Sequence, residues 1–171
     1  METNTLPQES TIQDKPQEEH HWLQKLVGEW TYETEMPMGT EQPPEKATGT
    51  ETVRSLGGLW ILAEGQGEMP CGGDATTMMT VGYDLRKQRY VGTWVGSMMT
   101  YLWVYDGELD ASENRLTLNN EGPSMSDPGK TAKYKDVIEF QSDNHRTLAS
   151  YMLGDDGQWQ PIMTTHYQRK M

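Results

Sequence analysis

Twelve methionines, eight tyrosines and six tryptophans stand against a single phenylalanine in this chain of 171 residues. Thioethers and indoles do no acid–base work, but they line apolar spaces that deform around a small molecule. Their spacing suits that role, because many recur at alternate positions, as side chains on one face of a strand do. The candidate lining is Trp30, Tyr32, Met78, Tyr90, Trp94, Tyr101, Trp103, Tyr105, Met152 and Met163. Gly92 and Gly96 share the parity of Trp94 and leave room beside its ring. A core simply filled by these residues is the alternative.

Arg54 adds a possible polar anchor. It shares parity with Thr48, Thr50 and Thr52, and on an inward face it could grip a ligand carboxylate by two parallel hydrogen bonds. On an outward face it is an ordinary exposed arginine at a strand end.

Other chemistries find less support. No nucleophile elbow, P-loop, dinucleotide fingerprint or His-Glu-x-x-His helix is present, so no catalytic residue is assigned. Glu29, Glu33 and Glu35 read as a solvated stripe. Asp106, Asp110, Asp136 and Glu139 could line a barrel end, yet nothing in the sequence pairs them as acid and base. Cys71 has acidic neighbours, Glu68 and Asp74, which oppose thiolate formation. With Met36, Met38 and Met69 it could form a soft copper site, but no regular ligand spacing supports one. His20 and His21 sit beside a polar tail and are expected to be solvated.

The formal charge of −12 repels phosphate backbones and anionic lipid surfaces, so neither nucleic acid nor membrane insertion is expected. The longest apolar run, Leu59 to Ala63, is far short of the roughly 20 residues of a membrane helix. The first residues lack the basic start and apolar core of a secretory signal. One cysteine cannot form an internal disulfide, which agrees with a cytoplasmic location.

These residues need elements to position them. Residues 1–15 are polar and acidic and read as a disordered tail, leaving 16–171 as one domain. Asp14 and Gln17 have capping-box spacing, and Pro16 suits a first helical turn. A short helix is expected over about 16–26, with Trp22, Leu23, Leu26 and Val27 on its docking face. From residue 29 the period becomes two. Strands are expected near 29–36, 47–56, 58–67, 76–84, 89–97, 100–109, 114–121, 132–141, 145–153 and 158–168. Many joints carry tight-turn chemistry, such as Asp84–Gln88, Asp110–Asn114, Ser142–Asn144 and Gly154–Gly157. Short joints favour an up-and-down order, and closing the meander removes exposed edges. Three longer connections, 36–46, 65–74 and 121–130, are candidates for a functional mouth. The expected fold is all-β: an antiparallel up-and-down barrel of about ten strands with a short N-terminal capping helix.

Gly28 and Trp30 at G-x-W spacing, after a short helix and on the first strand, together with Arg169 at the far end of the last strand, resemble the calycin superfamily of lipocalins and fatty-acid-binding proteins. The resemblance implies that Trp30 closes one barrel end with Arg169 packed across it. Segments such as "GTETVRSLGGLWILAEGQGEM", "TVGYDLRKQRYVGTWVGSM" and "GPSMSDPGKTAKYKDVIEF" are similar to a bacterial family of lipocalin-like domains of unknown function, over about residues 22–170. That family lends no activity. Nitrobindin-type barrels, which are related, hold haem through a histidine; no cofactor is expected here, but haem is the alternative, with His166 or His145 as axial donor.

The expected function is therefore a binding barrel, a carrier or sensor for a small apolar or amphipathic ligand. A haem protein and a cavity enzyme of isomerase or cyclase type are alternatives. So is a filled barrel acting through its surface, alone or as a homodimer.

Overall fold

A computed structural model describes residues 13–39, 41–69 and 72–171. The expectations for the tail up to residue 12 and for Cys71 lie outside the described residues.

Ten antiparallel strands close into a barrel, each paired with its neighbours in sequence, and β1 seals against β10. The strands are β1 (Gly28–Met36), β2 (Glu45–Leu56), β3 (Trp60–Glu68), β4 (Asp74–Asp84), β5 (Arg89–Gly96), β6 (Trp103–Asp110), β7 (Arg115–Pro123), β8 (Thr131–Ser142), β9 (His145–Leu153) and β10 (Trp159–Arg169). The expected up-and-down barrel is what forms, and most strand limits fall within a few residues of those read from the period of two. β6 differs, starting at Trp103 rather than near residue 100. The turn residues act as expected: Asp84 accepts from the Arg86 and Lys87 amides, and Asp110 caps a short 3-10 turn by accepting from Glu113 N. That turn ends on left-handed Asn114.

One end of the barrel is packed solid. The helix α1 (Glu18–Gln24) docks there on Trp22 and Leu23, with Leu26 buried just after it. It is shorter than expected, and its capping interaction lies three residues later than the Asp14–Gln17 spacing implied. Gln17 N donates to His20 Nδ1, and His20 Nε2 donates to the Tyr83 carbonyl at 3.0 Å. His20 is thus only 2% exposed, against the expectation that it is solvated. Solvent is replaced by two backbone partners, which is what makes burial of the ring affordable. The Tyr90 hydroxyl also donates to the helix, at Glu19 O.

Beneath the helix lies Trp30, fully buried, its indole N–H donating to Leu26 O at 2.9 Å. Arg169 faces Trp30 across the β1–β10 seam, its guanidinium 4.2 Å from the ring centroid. It also donates to the carbonyls of Val27, Lys25 and Asp143. Gly28 makes this possible: its φ is +139°, and a Cβ there would come 2.5 Å from Arg169 Nη1. The hairpin joins on the helix side are short. The connections expected to be longer, after β1, β3 and β7, all fall at the opposite end.

Candidate functional site

Alternation decides what each strand contributes to the interior. On β1 the inward residues are Trp30, Tyr32, Thr34 and Met36, which fill the barrel at the helix end and then line an open space farther up. That space is a cavity of about 370 Å³, within the range of small-molecule sites. β5 and β6 place Trp94 opposite Trp103 in register, with Tyr105 two residues deeper. Met79, Met99, Met125, Ile162 and Met163 complete most of the apolar wall.

Of the proposed lining, Tyr32, Trp94, Trp103, Tyr105 and Met163 meet in this cavity. Others do not. Met78 faces outward and its neighbour Met79 lines the space, because β4 turns Thr77, Met79 and Val81 inward. Tyr90 points inward but lies in the packed end under α1. Tyr101 sits on the loop before β6, 39% exposed, edge-on to Trp103 and donating to Glu121 O. Met152 pairs with Tyr134 on the inward face yet lies outside the cavity lining. Gly92 does not make room for Trp94: a Cβ there would collide with the Thr80 carbonyl, so its role is close approach to β4. Gly96 does abut the Trp94 ring, where a Cβ would come within 2.7 Å of it.

Arg54 is exposed on the outer face with Thr48, Thr50 and Thr52. The face of β2 that turns inward carries Ala47, Gly49, Glu51 and Val53, so Arg54 cannot serve as a carboxylate anchor in the cavity. The buried arginine is Arg146 on β9, which pairs with Glu51 at 2.5 Å. Its guanidinium lies 4.5 Å from the Trp30 centroid and 3.8 Å from that of Tyr167. This pair stands at the boundary between the packed end and the cavity, which Glu51 and Tyr167 both line.

The second interior carboxyl is Asp136 on β8. Tyr105 donates its hydroxyl to Oδ2 at 2.6 Å, and Ser150 donates to Oδ1 at 2.7 Å. Burial pushes the Asp136 carboxyl above the usual aspartate range, against the opposing pull of those two hydrogen bonds. Burial, then the nearby Asp136 charge, raises the Tyr105 phenol well above its ordinary value. Burial and Glu51 do the same more mildly for Tyr32. The cavity phenols are therefore neutral hydrogen-bond donors. The other acidic candidates lie outside it: Asp106 pairs with Arg89, Glu139 with Arg115, and Asp110 caps its turn. Glu33 and Glu35, on the outer stripe, share Lys46.

Haem fits this interior poorly. His145 and His166 stack on each other with centroids 5.8 Å apart, on the face of β9 and β10 opposite to Arg146, Leu148 and Tyr167. His21 is exposed on α1, and both ring nitrogens of His20 are already engaged. Among the described residues no histidine lines the cavity, so none of them offers an axial imidazole from inside it. Among the described residues no cluster of three or more His, Cys, Asp or Glu could hold a metal ion.

A family model described as a protein of unknown function, DUF1579, matches residues 15–169. The chain belongs to the DUF1579 family. No curated protein matches it. Among solved structures, this chain is similar to Rv2717c from M. tuberculosis, with 10% identity and a TM-score of 0.59 over 92% of this chain and all of that one. It is also similar, at a TM-score of 0.46, to a redesigned β-barrel, mFAP1, bound to DFHBI, with 17% identity over 85% of this chain and 96% of that one. At 10% identity the likeness to Rv2717c concerns the fold. No helix among the described residues is long and apolar enough to cross a membrane.

Proposed function

We propose that this DUF1579 barrel is a small-molecule binding protein, a carrier or sensor whose ligand enters past the methionine-rich rim and rests on the Tyr105–Asp136 floor. The observation that carries the reading is the cavity of about 370 Å³ in a barrel whose opposite end is packed tight. A filled barrel has no reason to hold Trp94, Trp103 and Met163 around open space, since well-packed interiors leave few voids larger than a water molecule. Trp30 closed over by Arg169 also supports grouping the barrel with the lipocalin-like calycins.

The first test is native mass spectrometry of gently purified protein against the same sample denatured, where a retained mass is expected. In parallel, the neutral apolar dye N-phenyl-1-naphthylamine should brighten on binding. Thr77→Phe, which fills part of the cavity, should abolish that signal while leaving the circular dichroism spectrum intact. Bare protein together with no dye signal would overturn the reading.

A further inference from the structure

We propose that the ligand of this cavity is a protonated amine carried on an apolar body, with its ammonium seated against Asp136. The proposal rests on the binding reading above and adds the chemical class of the ligand.

The charge balance of the interior leads to it. Among the described residues two carboxyls line the cavity, Glu51 and Asp136. Glu51 is matched by Arg146, which is itself 3% exposed. Asp136 has no cation within ion-pair distance among the described residues; what reaches its oxygens are the neutral hydroxyls of Tyr105 and Ser150. A carboxyl held by two neutral donors in a desolvated space is one positive charge short. The raised affinity of Asp136 for its proton expresses the same deficit.

The walls agree in sign. Trp94, Trp103, Tyr105 and Tyr134 surround the space, and aromatic faces attract cations. A ligand carboxylate would meet Asp136 with no free cation to hold it, which reverses the preference that Arg54 would have given. A neutral alcohol could hydrogen-bond there but would leave the charge uncompensated. The chain's formal charge of −12 favours the approach of cations over anions.

Calorimetry on the full chain at neutral pH with 2-phenylethylamine, 2-phenylethanol and phenylacetate isolates the head group on one apolar body. The amine should bind at least about tenfold tighter than the alcohol, and phenylacetate weakest, since one charge-assisted contact is worth that factor. In Asp136→Asn the amine's advantage over the alcohol should disappear, whatever the substitution does to the binding of the alcohol itself. Equal binding of amine and alcohol by the wild type would overturn the amine assignment and leave the binding reading standing. No binding of any of the three would overturn the amine assignment, and the mass and dye measurements above then decide the binding reading separately. An amine preference surviving undiminished in folded Asp136→Asn would overturn the role of Asp136. If that variant does not fold, the wild-type carboxyl 13C spectrum decides. The amine must shift the Asp136 resonance while the alcohol leaves it in place; a shift confined to Glu51, or none, overturns the proposal.

Discussion

The Arg169 guanidinium lies 4.2 Å over the Trp30 indole, and the two residues are direct partners across the β1–β10 seam. The first and last strands are thus joined by the same contact that plugs the barrel. Trp30 makes no contact with solvent. Trp30→Ala should therefore cost about 3 to 5 kcal/mol in urea denaturation, the range for a large aromatic lost from a core. A loss below about 1 kcal/mol would remove the closing role assigned to it.

Gly28 depends on Arg169 in a way that a double-mutant cycle can expose. Gly28 and Gly57 both have positive φ, but only at Gly28 would a Cβ meet another side chain, Arg169 Nη1 at 2.5 Å. Each Gly→Ala change should cost roughly 1 to 3 kcal/mol from backbone strain, and Gly28→Ala should cost more than Gly57→Ala. In an Arg169→Ala background the excess at Gly28 should shrink by the part due to that contact, since coupling between contacting residues is lost with either partner, and the part due to its φ of +139° against +64° at Gly57 should remain. An excess unchanged in that background would mean that strain alone sets the cost.

The Arg146–Glu51 pair is the most buried ion pair among the described residues. Arg146→Met alone should destabilise by about 3 to 5 kcal/mol, because it strands Glu51 in the interior without its cation. Combining it with Glu51→Leu should recover a large part of the loss. If the double variant is as unstable as the sum of the single ones, the pair is not an energetic unit.

The barrel was legible because alternation and turn chemistry are local signals. The even positions of β8, Tyr134, Asp136 and Ile138, share the parity of a core face, so Asp136 could have been picked out from its neighbours. β2 misled for a physical reason. Its even positions pair Arg54 with three threonines, while its inward odd positions carry Glu51 between Ala47 and Val53. A glutamate on the inward face is tolerated only because Arg146, 95 residues away, meets it. His20 is buried for a similar reason, through Tyr83 some 63 residues on. Adjacent Met78 and Met79 cannot be ranked by composition, and strand parity alone separates them. Whether an interior is open or filled depends on the sum of side chains from ten strands, which no local pattern records.

Asp136 makes the stability of the protein depend on pH in a defined direction. Burial raises its carboxyl above the ordinary range in the folded state, so the folded protein keeps this proton to higher pH than the unfolded chain does. Stability then falls as pH rises from the ordinary aspartate range through the raised folded value. The penalty is fully present above that window and absent below it. Asp136→Asn has no such proton to lose, though it disturbs the hydrogen bonds from Tyr105 and Ser150. Its stability relative to the wild type should therefore improve as the pH is raised across the window, whatever the constant cost of the substitution. Urea denaturation of both proteins at intervals from about pH 4 to pH 7, starting at the ordinary aspartate value, measures this difference. Parallel profiles would show that Asp136 titrates as it does in the unfolded chain, and a variant losing ground with rising pH would show a carboxylate stabilised by folding.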